Sequence, residues 1–157
     1  MNSQPAITIR RMAESDLPGV LKIAESANEA PRWPRQTFAE MLSGEFLTRR
    51  VALVATDTGS DELVGFTVAS LVAPEAELES IAVSLAHHRL GIARRLLAEL
   101  AAELGQAGIE SLHLEVRLSN RAAIGLYNSF GFNETGRRPR YYSDPVEDAV
   151  LMTLPLD

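Results

Sequence analysis

Residues 91–107 constrain this chain more than any other stretch. Ile92, Leu96, Leu97, Leu100 and Leu104 fall on one face at steps of three to four, the spacing of a helix with one buried side. Glu77–Val83 before it reads as a strand. After it, Ser111–Arg117 alternates Leu112, Leu114 and Val116 with His113, Glu115 and Arg117, the period of a strand with one face inside. A helix bounded in this way by two strands is a helical crossover lying over a sheet. Gly105 and Gly108 supply the stop signal at its end.

The remaining segments fit around that unit. Residues 6–11 alternate as a strand. Ser15 or Asp16 is positioned to cap a helix with Pro18 in its first turn and Leu17, Val20, Leu21 and Ala24 inside, ending near Asn28. A second short helix follows Pro34 and carries Phe38, Met41 and Leu42. Val51–Ala55 and Leu63–Val72, separated by Asp57 and Gly59, read as a hairpin. Ser119 stands where a cap is expected for a helix running through Tyr127 to Phe130, and Gly131 stops it. Ala149–Leu154 is a final strand, with a further strand near 133–138. The order β-α-α-β-β-β-α-β-α-β predicts an α/β fold: one mixed sheet of about six to seven strands flanked by about four helices, antiparallel in its first half.

Composition narrows the chemistry. The 157 residues suit one domain, expected to span 1–157, with no repeat or linker dividing it. There is no cysteine, which excludes disulfides, thiolate metal sites and a cysteine nucleophile. Lys22 is the only lysine and follows a leucine, so a Gly-Lys-Ser/Thr phosphate loop is excluded. A net charge of −6 opposes a general nucleic-acid coat. No apolar run approaches the ~18 residues of a membrane span, and the start, MNSQPAITIRR, lacks the apolar core of a signal peptide. The expectation is a cytoplasmic protein with neither nucleic acid nor membrane as partner. His87, His88 and His113 have no acidic or thiol partner at ligand spacing, so no metal is expected.

The junction at 84–95, SLAHHRLGIARR, carries the first functional signal. A strand ends in Ile81-Ala82-Val83, a loop with Arg89, Gly91 and Ala93 follows, and a helix begins. Unpaired N–H groups and positive charge meet there, and glycine allows close approach. The arrangement suits a pyrophosphate held by backbone amides; the same residues also fit an ordinary strand-to-helix turn. The G-x-G-x-x-G spacing of a dinucleotide site is absent.

Several segments together resemble the GNAT N-acetyltransferases. Arg89-Leu90-Gly91-Ile92-Ala93 is similar to that family's acyl-CoA signature, Q/R-x-x-G-x-G/A. The stretch LEVRLSNRAAIGLYNSFGF at 114–132 resembles the RimI-type branch of ribosomal-protein-alanine N-acetyltransferases. Arg140-Tyr141-Tyr142, Glu147-Asp148-Ala149 and the Trp33…Phe38 element resemble the same branch. Two positions depart from the pattern: His88 stands where Gln or Arg is usual, and Pro31-Arg32-Trp33 replaces Phe-Pro-Trp.

The resemblance implies direct transfer of acetyl from acetyl-CoA to an amine, most specifically the N-terminal alanine of a small-subunit ribosomal protein. It places the pantetheine along Ile81, Ala82 and Val83, the pyrophosphate at Arg89, Leu90, Gly91, Ile92, Ala93 and Arg94, and Asn120 against the pantetheine arm. It assigns Glu115 as general base and Tyr127 as general acid. Trp33, Glu77 and Tyr141 would meet the acceptor. Partial burial would raise the pKa of Glu115 toward that of a useful base.

An α-amine, with a pKa near ~7.7–8.0 against ~10.4 for lysine, is about a few hundredfold richer in its neutral form at pH 7. Glu75, Glu77 and Glu79 share one strand face, either as an acidic groove for a basic N-terminal peptide or as a solvated edge. Two alternatives stand beside this one: a GNAT enzyme acetylating protein lysines or a small amine, and an acetyl-CoA-binding module without turnover, against which the presence of both Glu115 and Tyr127 argues.

Overall fold

The computed structural model describes residues 6–27, 35–43 and 49–156. Seven strands form one sheet in the order β1-β2-β3-β4-β5-β7-β6. They are β1 (Ile7–Arg11), β2 (Arg49–Asp57), β3 (Leu63–Val72), β4 (Glu75–Val83), β5 (Ser111–Arg117), β6 (Asn133–Tyr142) and β7 (Glu147–Pro155). The helices are α1 (Leu17–Ser26), α2 (Arg35–Ser43), α3 (Ile92–Gln106) and α4 (Arg121–Phe130). β1 to β4 pair antiparallel in sequence order, and β4 and β5 pair parallel across the α3 crossover. β7 lies antiparallel between β5 and β6. This is the mixed α/β architecture expected from the sequence.

Each face of the sheet has its own core. On one, α3 lays Leu96, Leu97, Leu100 and Leu104 against Val51, Leu53 and Leu112, with Tyr127 and Phe132 in the same cluster. On the other, Leu17, Val20 and Ile23 of α1 and Phe38 of α2 meet Val54, Phe66 and Val68. The Phe38 and Phe66 rings meet edge to face, 6.1 Å apart, a favoured aromatic geometry.

Several boundaries differ from the sequence reading for local reasons. α4 is capped by Asn120, not Ser119: the Asn120 Oδ1 accepts the Ala123 N–H at 3.2 Å, while the Ser119 N–H is taken by Glu147 at 2.7 Å. α3 runs through Gly105 and ends where Gly108 adopts φ +84°, so only the second glycine terminates it. α1 stops at Ser26, where Ala27 turns extended. β6 continues to Tyr142 through a break in register after Arg138.

Asp16 ties β1 to α1. Its side chain is 8% exposed. It accepts two bonds from the Arg10 guanidinium at 2.8 Å each and the Ala13 N–H at 2.7 Å. Its pKa is held below the ordinary aspartate value, first by the Arg10 bonds and also by Ala13, against the opposing effect of burial. A carboxylate depressed in the folded state stabilises it above the unfolded pKa, and this contribution disappears as pH falls through the folded one. We therefore expect acid to destabilise the wild type below about pH 4 more steeply than Asp16→Asn. Urea unfolding at pH 3 to 6 measures this, and parallel slopes would refute it.

Candidate active site

The site begins where two strands part. β4 and β5 pair only at Glu75–Ser111, Ala76–Leu112 and Glu77–His113; beyond these positions the two edges face a gap. The separation coincides with a bulge in β4. Val68 pairs with Ser80 and Ala69 with Leu78, leaving Glu79 as the extra residue. A bulge bends its strand and redirects side chains. Ala76 and Leu78 lie in the α3-side core before it, whereas Ala82 lies in the α1-side core after it.

The register also shows which backbone groups face the gap. Ser84 donates its N–H to the Val64 carbonyl at 2.8 Å, so Val83, opposite Gly65, is a non-hydrogen-bonded pair in the ladder. Its N–H and C=O therefore turn away from β3. The same holds for Ile81, two residues back. Ala82 turns its own groups to Phe66 of β3, so of the three strand residues it offers no backbone bond to the gap.

At the end of β4 the chain makes a short 3-10 turn, Leu85–His87, before α3. Arg89 and Gly91 both take positive φ, 63° and 77°. Alternation of this kind lets successive N–H groups converge on an anion. The first bond into α3 runs from the Arg95 N–H to the Gly91 carbonyl at 3.1 Å, so the amides of Ile92, Ala93 and Arg94 precede the ladder. The Arg94 side chain is turned elsewhere: it donates to the Ser129 hydroxyl at 3.0 Å and carbonyl at 3.3 Å and lies over Phe130. The Ile92 side chain is buried in the core, and Leu90 packs beside it. Asn120 caps α4 as described above. These groups, convergent amides and a β4 edge that β5 leaves uncovered, fit a diphosphate joined to an amide-bearing arm.

On the sheet face away from α3, a cleft of about 300 Å³ is lined by Glu75, Glu77, His113, Glu115, Arg138 and Thr153, among others. Glu115 is 20% exposed, and its carboxylate lies 3.5 Å from Arg138 Nε. The Tyr141 hydroxyl bonds to it, which raises the tyrosine pKa. Arg138 stands over the Tyr141 ring, 5.5 Å from its centroid. The Glu77 pKa is raised, first by loss of solvent and next by the charges of Glu115 and Glu79. Glu79 itself pairs with Arg50 at 2.7 Å. His113 bonds Thr153 at 2.8 Å through Nδ1 and lies 3.4 Å from Glu75 through Nε2.

Tyr127 belongs to the opposite face. Only 7% of it is exposed. Burial, with a smaller contribution from Tyr142, pushes its phenol up to about 12. It meets Phe132 edge to face at 5.4 Å.

Glu77, Glu115 and Tyr141 thus lie together, whereas Tyr127 approaches from the other side of the sheet. Trp33 falls outside the described residues. The sequence reading missed Arg138 and Thr153, since nothing in β6 or β7 marked which alternate positions face Glu115. His113, on the same strand face as Glu115, lines the cleft and bonds through both ring nitrogens. Among the described residues no group of acidic and imidazole side chains could hold a metal, and no helix is long and apolar enough to cross a membrane.

Comparison with known proteins converges on one family. Residues 17–132 match the acetyltransferase (GNAT) family model. The chain is 38% identical over 151 residues to the [ribosomal protein bS18]-alanine N-acetyltransferase of Escherichia coli, covering 95% of this chain and 97% of that protein. Identity to the Haemophilus ducreyi enzyme of the same description is 33%, covering 93% and 98%. The crystal structure of the Escherichia coli ribosomal-protein-S18-alanine N-acetyltransferase superposes with a TM-score of 0.83 at 39% identity, covering 97% of this chain and 95% of that one. Ard1 from Thermoplasma volcanium gives 0.82 at 28% identity, covering 97% and 99%.

Because the charge on Glu115 raises the Glu77 pKa, Glu115→Gln should lower it. Carbon-detected NMR titration of the Glu77 carboxyl reads this directly; an unchanged or raised midpoint would show that the two groups do not interact.

Proposed function

The chain belongs to the GNAT acetyltransferase family, and from that premise we propose that it transfers acetyl from acetyl-CoA to the N-terminal α-amine of a basic protein acceptor. The acceptor is the alanine terminus of a small-subunit ribosomal protein, and the enzyme works in the cytoplasm. The single observation carrying this reading is the gap between β4 and β5, with backbone groups of its β4 edge turned toward it and Glu115 beside it.

Ile81 and Val83 line the edge along which the two amides of a pantetheine arm would extend. The converging amides from Arg89 to Arg94 receive the diphosphate. Acetyl-CoA supplies an activated acyl carbon, and the chain's residues manage the protons. Glu115 takes a proton from the acceptor ammonium, directly or through one water. The freed nitrogen bonds the acyl carbon, the carbon–sulfur bond breaks, Tyr127 donates its hydroxyl proton to the departing sulfur, and the second proton that the nitrogen sheds on becoming an amide restores the phenol. The raised phenol pKa keeps that proton in place at neutral pH. Glu75 and Glu77 give the cleft negative charge, which favours a cationic peptide.

Two observations favour an α-amine over lysine. Its lower pKa demands less of the base. The 38% identity to a ribosomal-protein alanine acetyltransferase also extends over nearly the whole of both chains.

The test compares acceptors under saturating acetyl-CoA. An alanine-initiated basic peptide should be acetylated at its terminus, whereas the same peptide with a blocked terminus and an internal lysine should not. Preference for the lysine or for a free polyamine would overturn the reading. Glu115→Gln should lower kcat by roughly 10²–10⁴-fold without altering CoA affinity. Tyr127→Phe should reduce turnover by about 10²-fold and leave the melting temperature close to wild type.

A further inference from the structure

The Val83 carbonyl, one of the groups turned toward the gap, already has a partner. The His88 ring closes back on it, Nε2 to oxygen at 2.8 Å. A carbonyl oxygen only accepts, so Nε2 carries the hydrogen and a neutral ring presents a bare lone pair at Nδ1. Among the described residues no hydrogen bond is made by Nδ1. The side chain is exposed, and its backbone is held by one long bond to the Leu85 carbonyl, 3.4 Å. The ring is therefore free to leave at the cost of one solvent-accessible hydrogen bond.

We infer that His88 is a displaceable cap on the cosubstrate edge: it holds the Val83 carbonyl in the free enzyme and yields it to a pantetheine amide when acetyl-CoA enters. This rests on the reading of the gap given above, and it makes His88 a binding residue in two successive states. A strand edge with an unmet carbonyl is costly and prone to wrong pairing. The imidazole satisfies it until the proper ligand arrives. Once released, the ring stands one residue from Arg89 in the turn that receives the diphosphate. There its lone pair would oppose the phosphate oxygens, and protonation converts Nδ1 into a donor. Cosubstrate binding should therefore take up protons at His88.

The turn and the elements that join it carry the following titratable and charged groups. His87 is bonded through Nδ1 to the Ser84 hydroxyl at 2.7 Å. Arg89 lies in the turn, Arg94 and Arg95 lie in the first turn of α3, and Glu62 precedes β3. Arg94 is engaged at Ser129. In this turn it is the arriving diphosphate that would stabilise a charged imidazole.

The experiment uses the full chain, ¹⁵N-labelled at histidine, with CoA as the probe, and His88→Gln to identify the His88 signals. In the free enzyme His88 should show a single Nε2–H tautomer. Saturating CoA should abolish that pattern and shift both ring nitrogens toward the imidazolium range. Calorimetry at pH 7.5 in buffers of different ionisation enthalpy should show proton uptake on CoA binding that is lost in His88→Gln. If CoA binds and the His88 tautomer persists with equal uptake in both proteins, the cap is refuted while the reading of the gap stands. If CoA fails to bind, both fall.

Discussion

The parting of β4 from β5 is the constraint on which the rest depends. Two parallel neighbours normally satisfy each other's backbone along their shared length. Here they do so at three positions and then separate, with the Glu79 bulge at the point of divergence. The sheet tolerates this because both flanks are secured independently: β4 by a long antiparallel ladder to β3, β5 by one to β7. A gap framed by two well-held strands is a rigid slot rather than a frayed edge. It sets aside amides and carbonyls at a fixed spacing, which is what recognition of an extended amide-bearing arm requires.

The slot also divides the charges. On the face away from α3, three of the carboxylates near it have cationic neighbours: Glu79 with Arg50, Glu115 with Arg138, and Glu75 with His113 when that ring is protonated. Glu77 has no such ion pair among the described residues, and its proton affinity is raised first by burial and next by its acidic neighbours. An arriving ammonium would relieve that repulsion. The cleft is thus poised for a cation at Glu77 in particular, since Glu115 already faces Arg138.

Much of this was legible in the chain. The α3 stripe and the LHLEVR alternation located the crossover, and the strand-to-helix junction marked the turn whose amides precede the α3 ladder. The bulge was not legible. Glu75 through Val83 contains neither glycine nor proline, and the change from the Ala76/Leu78 alternation to Glu79-Ser80 and then Ile81 does not by itself identify a bulge. The extra residue is visible only in the pairing with β3. For the same reason the sequence could not show that Ile81 and Val83, but not Ala82, present their backbone to the gap. Capping by Asn120 rather than Ser119 was equally hidden, because both residue types cap helices and only the backbone course at 119–120 decides which side chain meets the Ala123 N–H. The tie between Arg138 and Glu115 depends on the register of β6, which breaks near that point.

The position of Tyr127 raises a question of acid strength. A phenol at about 12 holds its proton fully at neutral pH yet is a poor acid, and general acids work best when their pKa lies near the operating pH. The answer lies in the shared environment. In the reaction proposed above, the thiolate would be released beside this buried phenol, and burial raises the proton affinity of a thiol as it does that of a phenol. Donor and acceptor are then shifted in the same direction, and the difference between them, which governs transfer, changes less than either value. Exposing Tyr127 would strengthen it as an acid but let water compete for the sulfur. In the proposed mechanism the apolar setting provided by Phe132 and the α3-side core would therefore be part of the proton delivery itself.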